Sequence, residues 1–235
     1  MLSEIDPLND EISYVRLEGA FGGDIDVVNS ARVSFAKKVT EMQDRDRKLV
    51  KYLADHEHGT PFEHNFIKFE VKAPLFVFRE WHRHRVGWSY NEQSMRYLEG
   101  DKDVPLEYYL PGQFRRQAKS DRQASDEPFN DVDLKASMLA AYSAANAVYK
   151  QLIAGSVAKE IARAVLPVGM YSCMIASCNL RSLLHFLKLR LKENAQWEIR
   201  QYAKAMLKLA EPVFPVSISN WRAANGYDEE GNKKG

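Results

Sequence analysis

Only two cysteines, Cys173 and Cys178, occur in the chain, and both fall in the apolar run from Met170 to Cys178. That excludes a disulfide framework and a cysteine-built zinc site, and it suits a reducing cytoplasm. No charge of either sign dominates: thirty-three Lys and Arg stand against thirty-two Asp and Glu, a net charge of +1. Without a global field to draw it onto nucleic acid or membrane, any anion recognition has to be local. No apolar run approaches the roughly 18 residues of a membrane span, and the chain does not open with a basic start followed by an apolar core. Glycine-rich phosphate loops are missing too, neither Gly-x-Gly-x-x-Gly after a strand nor Gly-x-x-x-x-Gly-Lys-Ser/Thr being present. A dinucleotide, if bound, is therefore held by side chains. The expectation is one soluble, cytoplasmic domain spanning 1–235, with no nucleic-acid or membrane partner.

Against this even background one stretch stands out. Arg83-His84-Arg85 is followed at once by Trp88, Ser89, Asn91, Glu92, Ser94 and Arg96. Like charges three or four residues apart repel by a few tenths of a kcal/mol on a helix, so the cluster does not serve local stability. Cations beside Trp88 and Tyr90 suit an anion attached to a planar ring.

The rest of the chain reads as an ordered series of elements. The first 35 residues suggest a strand and a turn at Gly22-Gly23-Asp24. From Asp46 the positions Leu49, Val50, Tyr52 and Leu53 suggest a helix, stopped by Gly59-Thr60-Pro61. Ile67, Phe69, Val71 and Ala73 alternate with Lys68, Glu70 and Lys72, a half-buried strand ending at Pro74. Leu75, Phe78 and Trp81 or His82 then recur at helical spacing and deliver the Arg-His-Arg cluster at the C-terminal end. Residues 112–131 have few apolar anchors and read as an exposed loop. Met138, Tyr142, Ala145, Tyr149 and Leu152 make a long helix closed by Gly155, and a short helix runs on to Pro167. The run from Met170 to Cys178 is equally compatible with a buried strand or a helix segment. Asn179 caps a helix bearing Leu180, Leu183, Leu184, Leu187 and Leu191, and a last helix with Ile199, Tyr202 and Met206 ends before Pro212. The tail after about residue 221 is strongly charged and is expected to be flexible.

Three chemical readings compete. Five of the six histidines, His56, His58, His64, His82 and His84, lie close together, which invites a metal centre. Arg83 and Arg85 oppose it, because fixed cations beside a divalent ion raise its binding cost. Solvated or ligand-binding histidines are the other options. Arginines interleaved with Trp81, Trp88, Tyr90 and Tyr97 also suit nucleic acid, but no basic stripe continues elsewhere. Arg190 is odd in its own right. It lies along the edge of the leucine stripe, either as a snorkelling cation at a helix end or as a cation aimed into an internal ligand site.

Taken in order, the segments Ala31-Arg32-Val33-Ser34-Phe35, His58-Gly59-Thr60-Pro61-Phe62-Glu63-His64, Arg83-His84-Arg85, Ala162-Arg163-Ala164-Val165-Leu166-Pro167 and Asn179-Leu180-Arg181-Ser182 with Arg190 and Gln196-Trp197-Glu198-Ile199 resemble the flavin-dependent thymidylate synthases. The resemblance implies an α+β fold, a mixed α/β subunit whose central sheet is flanked by long helices, assembled as a homotetramer with shared active sites. It implies a methyltransferase that methylates dUMP, with FAD as hydride carrier, NADPH as reductant and methylenetetrahydrofolate as carbon donor. Carried over by position, the FAD contacts are Ser34, His58, Thr60, Glu63, Arg83, His84, Arg85, Glu92, Asn179, Arg181 and His185. The dUMP contacts are Glu80, Arg83, Glu92, Gln93, Ser94, Arg96, Arg163 and Arg190, with Arg190 in the catalytic role of favouring the ionised uracil. No metal is implied, and neither cysteine is a nucleophile. The alternative is a non-enzymatic nucleotide- or RNA-binding module on the same scaffold.

Three departures from the family pattern bear on the site. Eight residues, Val86 to Gln93, separate Arg85 from Ser94, where the family signature has seven. The extra residue falls within Val86-Gly87-Trp88, where Gly87 can absorb it in a turn. Asn194 stands where some members carry His, and Glu80 is a carboxylate near the expected phosphate, so Arg79 or Arg83 has to stand between them.

Overall fold

The period-two alternation around Val71 does fold as a strand. The computed structural model describes residues 3–234, and in it β3 (Phe66–Pro74) buries Ile67, Phe69, Val71 and Ala73 on one face. β3 lies at the centre of a five-stranded antiparallel sheet with β1 (Glu4–Ile5), β2 (Tyr14–Phe21), β4 (Trp88–Glu92) and β7 (Tyr171–Cys178), in the order β1-β2-β3-β7-β4. The ambiguous run from Met170 to Cys178 is thus a strand. Register decides it: Met174, Ala176 and Cys178 sit opposite Val71, Phe69 and Ile67 on the apolar face, while Cys173 sits opposite Lys72 on the polar one.

The apolar face is covered by α3 (Leu75–Trp81), α6 (Leu180–Arg190) and α7 (Trp197–Ala210), which contribute Trp81, Leu183, Phe186, Leu187, Tyr202 and Met206 to one core. Each such side chain stabilises the fold by roughly 1.5–3 kcal/mol through removal from water. A second, smaller cluster joins Met95, Tyr149, Ala162 and Met170 under α4 (Val132–Ala154) and the short α5 (Lys159–Ala162). Asn179 caps α6 as expected, its Oδ1 accepting from the Ser182 amide at 2.9 Å.

Three sequence expectations are corrected. The chain turns at Gly22-Gly23 but then forms a helix, α1 (Asp24–Arg32), before the turn at Val33–Phe35. Residues 112–131 are a hairpin rather than a loop, β5 (Phe114–Gln117) against β6 (Ser125–Phe129). These strands stand apart from the central sheet, so they carry no alternating apolar pattern. The hairpin is held by the Phe114 and Phe129 rings at 5.7 Å and by the ion pair of Arg115 with buried Glu198.

The tail is the third correction. After α2 (Asp44–Asp55), which begins two residues before the sequence suggested, the chain's last helix α8 (Pro215–Asn225) carries the fold past residue 221. Gly226, at φ +68°, closes it. Tyr227 stacks on Trp221 with ring centroids 5.4 Å apart, and both rings are buried. Charge along the sequence concealed this anchor, because a single aromatic pair is invisible to any periodicity test.

Candidate active site

α3 runs out at Trp81, and beyond His82 the residues Arg83, His84 and Arg85 divide by direction. His84 is buried, whereas Arg83 and Arg85 on either side are exposed. The inward turn is fixed by the backbone: the His84 amide donates to the Trp81 carbonyl at 2.9 Å, and the Tyr90 hydroxyl donates to the His84 carbonyl at 2.7 Å. Gly87 then reverses the chain at φ +68°. A Cβ there would lie 2.2 Å from Ser182 Oγ, which donates to the Val86 carbonyl at 2.9 Å. The left-handed conformation suits a glycine at this turn, and β4 starts immediately after it.

Arg190 closes on this loop from the end of α6. Its Nη1 donates to Glu80 Oε2 at 2.7 Å, its Nη2 to the Glu80 carbonyl at 2.6 Å, and its Nε to His84 Nε2 at 2.8 Å. The side chain is only 15% exposed, so the snorkelling reading fails. His84 packs edge-on against Phe186 at 4.8 Å. Its pKa is lowered to about 4 by burial and by the neighbouring Arg190 and His185 charges, in that order, which leaves it neutral at physiological pH. Its accepting ring nitrogen, Nε2, faces Arg190.

The other residues named from the sequence gather in two further places. His58, Arg181 and His185 line a cavity of about 670 Å³ walled by α2, α6 and α8, with Thr60 and Glu63 in the helical turn Thr60–Glu63 next to it. Arg181 is ion-paired with Glu63 across this wall. Gly59 lies against the Arg181 side chain, where a Cβ would stand 2.5 Å from the guanidinium carbon and displace it. Ser34 is exposed beyond the end of α1, and no hydrogen bond ties it to the cavity residues among the described residues.

Glu92 ends β4 and accepts from Ser172 Oγ at 3.0 Å. Gln93, Ser94 and Arg96 follow, and Met95 between them packs with Ala162 in the second core cluster. Arg163, next to Ala162, is thereby carried to the same region as Arg96. Among the described residues no hydrogen bond or ion pair links this group to Arg190 and His84. Nor does any carboxylate pair with Arg83, Arg85, Arg96 or Arg163.

The remaining histidines do not converge on a metal-like centre. His56 and His58 lie against Tyr52, and His82 Nε2 lies 3.2 Å from Met174 Sδ. Both cysteines are set for packing: burial pushes the Cys178 thiol well up, and Cys173, also raised by burial, sits near the Tyr14 hydroxyl on the polar face of the sheet. Asn194 donates to Asp121 of the hairpin at 3.3 Å. Sequence reasoning missed Tyr90 and Asn65 as supports. Asn65 Oδ1 accepts from the Leu180 amide at 2.7 Å, and a lone Asn entering a buried strand was the available signal.

Residues 17–216 match the family model described as thymidylate synthase complementing protein. A flavin-dependent thymidylate synthase from Thermus thermophilus is 40% identical over 218 residues, covering 93% of this chain and 77% of that protein. One from Streptomyces coelicolor is 44% identical over 186 residues, covering 75% and 74%. Among solved structures, a UMP/dUMP methylase from Streptomyces cacaoi bound with 5-Br dUMP superposes with a TM-score of 0.79 at 36% identity, covering 89% of this chain and 94% of that one.

Proposed function

The chain belongs to the thymidylate synthase complementing protein family, and from that membership we propose that it is a flavin-dependent thymidylate synthase that methylates dUMP at C5 to give dTMP. The observation that carries the reading is Arg190: a desolvated guanidinium clamped on one side by Glu80 and His84. Of the five N–H groups of an arginine, three are used in this clamp, which leaves two to meet a pyrimidine. A fixed cation there stabilises negative charge spreading over the uracil ring and so raises the nucleophilicity of C5. Neither thiol is available to attack the ring, so activation falls to this cation rather than to a covalent adduct.

The flavin is FAD, with NADPH as reductant and methylenetetrahydrofolate as carbon donor. The residues suit such a cofactor: Arg83, Arg85 and Arg181 present cations, and His58, Gly59 and His185 line a cavity of about 670 Å³. When bound, the flavin supplies hydride to the transferred carbon. Arg83 and Arg85 offset pyrophosphate and phosphate charge, Asn179 and Arg181 orient the cofactor at the start of α6, and Arg96 with Arg163 takes the dUMP phosphate.

Arg96 and Arg163 are gathered by a different core cluster from the one holding Arg190. In the proposed reading a complete site is composed between copies, in a homotetramer, and the separation of these arginines from Arg190 supports it. The exposed apolar positions Val132, Leu134, Leu139 and Val148 of α4 are available for that assembly.

The test is direct. The purified protein carries flavin absorbance, and with methylenetetrahydrofolate and NADPH it releases tritium from the 5-position of dUMP and forms dTMP. A colourless protein that takes up no FAD and releases no tritium returns the chain to the nucleotide-binding alternative. UMP assayed in parallel reports whether the ribose is read.

A further inference from the structure

Arg190 is held by two partners of different chemistry. Glu80 contributes a carboxylate oxygen and a main-chain carbonyl, both of them acceptors. His84 accepts from Nε only if its own Nε2 carries no proton, so the ring must be the neutral tautomer protonated at Nδ1. A planar fork can rotate about its Nη contacts unless the third donor is also fixed, and His84 is the group that fixes it. The imidazole is itself immobile, wedged against Phe186 with its backbone carbonyl tied to Tyr90.

We propose that His84 is a positioning residue for dUMP activation, acting through Arg190 by holding the plane of its guanidinium with an unprotonated Nε2. The inference rests on the reading that Arg190 meets the pyrimidine. It separates the members of the Arg-His-Arg cluster by task, with the two exposed arginines turned to ligand anions and the buried histidine turned to the catalytic cation. Burial and the adjacent cation keep the ring neutral, which is the state this role demands.

The experiment compares five flavin-loaded proteins, wild type, His84→Leu, His84→Gln, Arg190→Lys and the His84→Leu with Arg190→Lys double variant, by C5 tritium release and by calorimetric dUMP affinity. His84→Leu lowers kcat for tritium release at least about tenfold while flavin absorbance is kept, since a misoriented donor fails chiefly at developing charge. His84→Gln, whose Oε1 can accept from Arg190 Nε, recovers about threefold or more of that loss. Adding His84→Leu to Arg190→Lys has little further effect, because the two residues act as one unit. In unmutated protein, ¹⁵N spectra of the His84 ring show a non-protonated Nε2 at pH 7, a readout independent of whether any variant folds.

Wild-type tritium release in His84→Leu alongside an impaired Arg190→Lys overturns the inference alone. So does a protonated Nε2, or a folded His84→Gln no better than His84→Leu. Wild-type release in Arg190→Lys instead removes the reading of Arg190 on which it stands.

Discussion

Arg190 and Arg163 are both assigned to one nucleotide, yet the fold treats them oppositely. Arg190 is nearly buried, with three of its donors committed to Glu80 and His84. Arg163 is exposed beside the second core cluster and has no carboxylate partner among the described residues. On the proposed assignment, one chain finishes the part of the site that must be rigid for chemistry and leaves open the part that would bind a phosphate. A preorganised cation costs nothing to reorient at the moment of reaction, whereas a phosphate contact tolerates a mobile side chain because its interaction is mainly Coulombic.

The comparison is broken most severely at Arg190. Arg190→Lys keeps its charge but loses the fork, and it leaves Glu80 and His84 imperfectly paired. C5 tritium release falls at least about tenfold and up to roughly a hundredfold, while flavin absorbance persists. The same assay on a mixture sharpens it. If Arg163 and Arg190 of different copies meet in one site, Arg163→Gln and Arg190→Lys proteins, each impaired alone, regain up to about a quarter of wild-type activity when dissociated and reassembled together at equal amounts. No recovery in reassembled, flavin-loaded oligomers means that both arginines serve a site from the same chain.

Stability separates the two regions next. Asp24 anchors α8 behind the cavity, its carboxylate accepting from the Val216 and Ser217 amides at 2.6 and 3.0 Å while 6% exposed. Asp24→Ala orphans both donors and lowers stability by about 2 kcal/mol in denaturant titration, whereas Arg163→Gln changes it by less than about 0.5 kcal/mol. Equal effects of the two would erase the distinction between built and open parts.

A further effect is one of pH. The folded His84 pKa is depressed to about 4 from an ordinary value of 6.5. Between those values the unfolded chain binds the extra proton, so stability falls as pH drops, by at most about 1.4 kcal/mol per unit from this group. The contribution is complete above about pH 6.5 and gone below about pH 4. In His84→Gln this part of the acid dependence disappears; an unchanged slope between pH 6.5 and 4.5 places the acid sensitivity elsewhere.

The sequence by itself determined a good deal. The alternation in β3, the Asn179 cap and the leucine stripe of α6 follow from local periodicity and capping chemistry, which act over a few residues and are written along the chain, and the ordered motifs from Ala31 to Ile199 carry the family resemblance. They were enough to place the family and to single out Arg190. Tertiary structure alone decided which way each side chain of Arg83-His84-Arg85 faces, because that depends on the Tyr90 hydroxyl and on the end of α6, 106 positions from His84. It also decided the hairpin at 114–129 and the anchored tail, each held by single distant pairs, Arg115 with Glu198 and Trp221 with Tyr227. Such pairs have no period and no local signature. Their energy arises only when folding has already brought the partners together and excluded water from between them.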